Sequence, residues 1–210
     1  MKKILFIALI GFGIWQYQHK NNNGSPATVD STGKPVVVVY TFAGCGSPCA
    51  NVLSLLNQRS VPFEEIVLSQ SDKDSAAFKK WESYRENSMP LTLAGESKAV
   101  GDSQSEIVRV LATNYQTQYL TNLEKRYFKA HFDNAGKPKV VLYGTDWCPG
   151  CAALRKELRA DNQPFEDVDV EKVTDSNMLL QGLQIGGYPT VYWGYQRVNG
   201  TTLSDIKKLM

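Results

Sequence analysis

Lys34-Pro35-Val36-Val37-Val38-Val39-Tyr40 recurs as Lys137-Pro138-Lys139-Val140-Val141-Leu142-Tyr143, an offset of 103 residues, and that repetition decides the architecture. Both stretches are short, apolar and rich in β-branched residues, the composition of a central strand covered on both faces. A cysteine follows each at the same offset, Cys45 and Cys148. Further along, Val61-Pro62-Phe63-Glu64-Glu65 recurs as Gln163-Pro164-Phe165-Glu166-Asp167 at an offset of 102, and Met89-Pro90-Leu91-Thr92-Leu93 recurs as Tyr188-Pro189-Thr190-Val191-Tyr192. A cysteine pair and three proline-containing stations, in the same order twice, are two copies of one unit. The one-residue change of offset is absorbed between the cysteines.

Outward from these stations, each cysteine pair opens a helix. Its inward face reads Cys49, Val52, Leu53 and Leu56 in the first copy and Cys151, Leu154 and Leu158 in the second, near helical spacing. A strand follows at 63–68 or 165–170, then a helix near 73–86 or 173–182, a strand at the later proline, and a closing strand and helix around 98–111 and 197–209. The order β-α-β-α-β-β-α predicts an α/β fold: a mixed four-stranded sheet with helices on both faces. Strands separated by helices pair in parallel and consecutive strands form a hairpin.

The 210 residues suffice for two compact domains beside an atypical N-terminus. We assign 34–112 to the first domain, 113–136 to a helical linker rich in Tyr and charge, and 137–210 to the second domain. Tyr115, Tyr119 and Tyr127 are expected to serve inter-domain packing, and His19 and His131 to be surface histidines. With 42% hydrophobic and 21% charged residues and a net charge of +2, the chain lacks the basic footprint of a nucleic-acid binder. Met1-Lys2-Lys3 precedes an apolar run from Ile4 to Trp15, so residues 1–20 are expected to be a signal peptide or an N-terminal membrane anchor. Residues 21–33, with Gly24, Ser25 and Pro26, read as a flexible tether. Lys2 and Lys3 would stay cytoplasmic, placing the rest outside the inner membrane of a bacterium.

Four cysteines form two close pairs, Cys45 with Cys49 and Cys148 with Cys151. Each pair closes too small a ring to add much loop-closure stability, so chemistry or metal binding explains them better than stapling. In Cys148-Pro149-Gly150-Cys151 the first thiol sits at a helix start, where unpaired N–H groups and the helix dipole favour thiolate. A second cysteine one turn on can attack the mixed disulfide that forms. Cys148 is therefore the expected nucleophile and Cys151 the resolving thiol, with Pro149 suited to the first helical turn. Trp147 would shield the pair or form a substrate platform. Cys45-Gly46-Ser47-Pro48-Cys49 has one residue more, yet residues four apart on a helix lie about 6 Å from each other, within disulfide range. Cys45 would be the nucleophile of that second centre.

Both copies resemble the glutaredoxin family of the thioredoxin superfamily. In the second copy the residues that carry the resemblance are Val140-Val141-Leu142-Tyr143-Gly144-Thr145-Asp146-Trp147-Cys148-Pro149-Gly150-Cys151, Tyr188-Pro189-Thr190 and Asn199-Gly200-Thr201. The resemblance implies two tandem thioredoxin-like domains, a cis Pro189 and thiol–disulfide exchange. It also implies a substrate groove with Tyr188, Pro189, Thr190, Gly200 and Thr201 in the second domain and Met89, Pro90, Gly101 and Asp102 in the first. No cofactor is required by such chemistry, and glutathione is a candidate co-substrate alongside protein thiols and disulfides. Thr145-Asp146-Trp147 and Phe42-Ala43-Gly44 depart from the family by lacking a basic residue ahead of the first cysteine. Two other classes compete: an iron–sulfur or metal-binding protein, since cysteine pairs are also ligands, and a peptide-binding module with passive cysteines.

Overall fold

The computed structural model describes Asp30, Gly33 and residues 36 to 210. The expected export or anchor segment and the tether, apart from Asp30 and Gly33, lie outside the described residues, as do Lys34 and Pro35. Among the described residues no helix is long and apolar enough to cross a membrane.

The chain divides into two compact units, the first ending at Val110 and the second running from Leu111 to Met210. In the first, β1 (Val37–Phe42) leads into α1 (Ser47–Gln58), β2 (Phe63–Leu68), α2 (Ala76–Ser83), β3 (Leu91–Ala94), β4 (Ser97–Val100) and the start of α3 (Gln104–Tyr115), within which the division between units falls. The sheet order is β2-β1-β3-β4. β1 pairs with β2 in parallel, Val37 opposite Phe63, and with β3 antiparallel, Val38 opposite Leu93. The apolar run is buried on both faces, Val37 to Tyr40 being at most 1% exposed. Val38, Tyr40 and Leu91 pack with Phe78 of α2 on one side.

The second unit repeats this plan with β5 (Val140–Gly144), α5 (Pro149–Ala160), β6 (Glu166–Asp169), α6 (Ser176–Gly182), β7 (Thr190–Trp193), β8 (Gln196–Arg197) and α7 (Leu203–Lys207), in the sheet order β6-β5-β7-β8. Val140 and Leu142 pack with Leu154 and Leu158 of α5 and Ile206 of α7. Both units are thioredoxin-like α/β domains with a mixed four-stranded sheet.

Element ends differ from the sequence reading where capping decides them. The helix expected at 73–86 begins at Ala76, because the Ser75 hydroxyl accepts the Phe78 N–H, and it stops before Arg85, whose φ of 56° is left-handed. The helix expected at 173–182 begins at Ser176, and the strand expected at 165–170 narrows to Glu166–Asp169.

Residues 113–136 behave as more than a linker. α3 runs on to Tyr115 and ends at Gln116 with φ 54°. A new helix, α4 (Asn122–Phe128), starts at a capping box in which Thr121 and Glu124 exchange side-chain and backbone hydrogen bonds. α4 belongs to the second unit: a Cβ added to Gly182 of α6 would lie 2.9 Å from Leu123 Cγ and 3.0 Å from Tyr127 Cδ2. Tyr127 is therefore core packing within that unit.

His131 is likewise not at the surface. It is fully buried, in edge or tilted contact with Phe128, Tyr143 and Tyr192. Its Nδ1 lies 2.8 Å from the Gly194 carbonyl, which can only accept, so Nδ1 carries the proton and Nε2 accepts from the Tyr143 hydroxyl at 2.7 Å. Burial holds the imidazole pKa down at about 4, outweighing the Gly194 bond and the Glu166 charge that favour protonation.

Candidate redox site

Gly144, the last residue of β5, brings the chain to the site. A Cβ there would fall 2.7 Å from the Cys151 Sγ, so only glycine lets the helix approach the strand this closely. Cys148 then caps α5: its φ and ψ of −81° and 111° are extended, its Sγ accepts the Cys151 N–H at 3.1 Å, and Pro149 opens the helix. Cys148 and Cys151 form a disulfide with their Cα atoms 5.2 Å apart, Cys151 fully buried and Cys148 5% exposed. On reduction, the Cys148 sulfur would stand where a backbone N–H and the helix terminus stabilise negative charge.

The Tyr188-Pro189 peptide is cis, as the resemblance implied, and so is Met89-Pro90. Pro189 faces the redox pair, since a Cβ on Gly150 would sit 3.2 Å from its Cδ. Tyr188 meets Trp147 edge to face at 6.2 Å. Trp147 is 66% exposed and its indole N–H donates to Glu171 Oε1 at 2.9 Å, so it stands as a rim beside the pair. Thr190 is buried, and its hydroxyl donates to the Gly187 carbonyl at 2.7 Å.

Charges around the Cys148 loop are paired off. Lys172 binds Asp146 at 2.7 Å and Asp169 at 2.8 Å, and the hydrogen bond it donates to Asp146 leads the causes that raise its pKa. Arg155 on α5 makes two bonds to the Asp167 carboxylate and one to the Thr145 carbonyl, which fixes the backbone three residues before Cys148. The loop ahead of α7 holds Gly200, with φ 128°, and exposed Thr201. It is tied to α5 by the Leu203 N–H, which donates to Glu157 Oε2 at 3.2 Å.

The first unit is built alike with one difference. Gly46, at φ 71°, takes the N-cap position of α1 and makes no side-chain cap, so Cys45 stands one residue outside the helix. Cys45 and Cys49 form a disulfide with Cα atoms 5.9 Å apart, matching the separation expected for the longer spacing. Cys49 is buried and Cys45 partly exposed. The Gly101 N–H donates to the Pro90 carbonyl at 2.8 Å, and Asp102 accepts from Asn51, two residues past Cys49, at 2.8 Å. Met89 packs partly buried against the core containing Tyr40 and Phe78. Among the described residues no group of three or more His, Cys, Asp or Glu is arranged to hold a metal ion.

Sequence reasoning missed Gly144, Arg155 and Arg197. Gly144 was findable, because the first copy has Thr41 at that station. The two arginines carry no motif, and only folding reveals their partners.

The family model for glutaredoxin matches residues 140–196. Mycoredoxin 1 of Corynebacterium glutamicum is 31% identical over 74 residues, which span 33% of this chain and 91% of that protein. Among solved structures, the thioredoxin-like protein BC3987 is 27% identical with a TM-score of 0.31, covering 34% of this chain and 100% of that one. Reduced glutaredoxin C1 from Populus tremula x tremuloides is 18% identical with a TM-score of 0.33, covering 41% and 80%. With the redox motif, the cis proline and nearly the whole of a mycoredoxin matched, this chain belongs to the glutaredoxin family.

Proposed function

We propose that the protein is a thiol–disulfide oxidoreductase working through Cys148 and Cys151 on protein or glutathione-type disulfides. The observation that carries this reading is the position of Cys148 at the N-cap of α5, with the Cys151 N–H donating to its sulfur and the cis-Pro189 loop alongside. The Cys148 thiolate attacks one sulfur of a substrate disulfide, forming a mixed disulfide and expelling the other sulfur as thiolate. Cys151, deprotonated, then attacks the Cys148 sulfur, closes the intramolecular disulfide and releases the second substrate thiolate. Two electrons pass to the substrate, and the same steps run backwards oxidise a dithiol.

Tyr188 beside Cys148 supplies backbone groups for an extended substrate, and Trp147 a flat rim. A protein partner is favoured over glutathione because Lys172 and Arg155, cations next to the Cys148 loop, are already paired with carboxylates. Gly200 and Thr201 complete the groove in this reading. Cys45 and Cys49 form a second, weaker centre served by Met89, Pro90, Gly101 and Asp102. Met1-Lys2-Lys3 and the apolar run after it support placement at the outer face of an inner membrane, or release beyond it, which fractionation of the tagged protein tests.

Replacement Cys151→Ser tests the exchange reading. Mixed disulfides are expected to accumulate through Cys148 and to disappear in the Cys148→Ser variant. No trapped species, together with no turnover of a small disulfide by the wild type, would sink it in favour of a passive peptide binder.

A further inference from the structure

The loop 183–189, between α6 and β7, carries Tyr188 to the redox pair. Its second residue is Gln184, a non-glycine residue with φ 53°, whose N–H closes on the Gln181 carbonyl at 3.2 Å. From the facing strand β8, Arg197 reaches both ends of this loop. Its Nη1 donates to the Gln184 carbonyl at 3.0 Å and its Nη2 to Thr190 Oγ1 at 3.2 Å. Thr190 Oγ1 in turn donates to the Gly187 carbonyl, the residue immediately before Tyr188. One guanidinium, extended by one hydroxyl, thus holds the loop at its entry, at its exit and next to Tyr188. Between these anchors Gly186 and Gly187 have open space where a Cβ would be, and offer no side chain to pack.

The first unit carries a related device. Counting back from each cis proline, Arg85 stands where Gln184 stands, with φ 56°, and its N–H closes on the Glu82 carbonyl at 3.0 Å. Lys98 takes the place of Arg197 on the facing strand and pairs with Glu86, next to Arg85. A cation across the hairpin therefore grips the start of the proline loop in both units. Leu91 replaces Thr190 in the first, so the hydroxyl link to the residue before the substrate-facing position exists only in the second.

We infer that Arg197 and Thr190 are positioning residues that fix the Gly187-Tyr188 backbone for recognition of extended peptide disulfides beside Cys148. The inference rests on the exchange function proposed above. A backbone held in place before binding loses less freedom when a peptide pairs with it, so its loss weakens peptide binding selectively. A small disulfide needs only the sulfurs and no paired backbone.

The test compares the full chain with Arg197→Met, Arg197→Lys and Thr190→Val on two substrates, an extended peptide disulfide of about ten residues and bis(2-hydroxyethyl) disulfide. In Arg197→Met, KM for the peptide is expected to rise about tenfold, the scale of lost charged hydrogen bonds. Turnover of the small disulfide should stay within about twofold. Lysine should restore part of the loss, and Thr190→Val should show a smaller shift of the same kind. Equal losses on both substrates, or no change on either, would overturn the inference. Should Arg197→Met fail to fold, Thr190→Val decides by the same split. A wild type inert on both substrates would remove the exchange reading and the positioning role with it, whereas an active wild type whose variants show no split removes the positioning role alone.

Discussion

The Cα of Gly144 points at the Cys151 sulfur: a methyl group added there would lie 2.7 Å from Sγ, inside the distance at which unbonded atoms meet. With Cys151 bonded to Cys148, that sulfur has no rotamer into which to retreat. Gly144→Ala is therefore expected to destabilise the oxidised protein by about 1–3 kcal/mol, the usual cost of overpacking. The reduced form, where the thiol can turn aside, should lose less. Urea denaturation of both forms checks this, and an equal loss in the two would contradict it.

Thr41 occupies the station of Gly144 in the first unit, buried and donating to Glu65 Oε1 at 2.8 Å. The extra residue in Cys45-Gly46-Ser47-Pro48-Cys49 is expected to make room for that side chain by letting the helix start farther from the strand. Deleting Gly46 alone should cost about 1–3 kcal/mol, and Thr41→Gly in the same chain should recover most of it. Additive losses in the double variant would show that the two features are independent.

Cys148 caps its helix and Cys45 does not, which predicts different thiolate character in the reduced protein. The ratio of alkylation rates at about pH 6 and about pH 9 removes differences in access. It is expected to be roughly tenfold higher for Cys148 than for Cys45, the equivalent of one charge-assisted hydrogen bond. Mass spectrometry of iodoacetamide-treated protein reads both sites at once.

His131 stays neutral when folded, with a pKa lowered to about 4 by burial. The unfolded chain therefore takes up the proton first, and the stability this group contributes is complete above about pH 6.5 and falls as pH drops from there towards 4. The loss between about pH 7 and about pH 5 should be roughly 2 kcal/mol. His131→Gln is expected to flatten that part of the profile while lowering stability at neutral pH by about 1–3 kcal/mol, because the Gly194 carbonyl and Tyr143 hydroxyl lose a fitted partner. Urea midpoints across pH for both proteins decide it.

Much of this molecule is written in order along the chain. The duplicated apolar run, the cysteine pairs and the later prolines announce two units, the order of elements along each and the stations of Cys148, Cys151 and Pro189. These features are local: strand composition, helix-start chemistry and proline act within a few residues of themselves. The repeat supplied the long-range information that a single motif lacks, by showing that Cys45 and Cys148 hold equivalent places.

What only the tertiary structure decided depends on residues distant in the chain. His131 looked like a linker histidine until Tyr143 and Gly194 closed around it, and α4 looked like a connection until Leu123 and Tyr127 met Gly182. The grip of Arg197 on Gln184 and Thr190 has no sequence signature, because a guanidinium reaches whatever carbonyl the fold brings within range. Periodicity and turn chemistry thus determined the elements and the redox pair. The contacts that hold the pair against its proline loop were decided by packing, since they join groups that only the folded sheet makes neighbours.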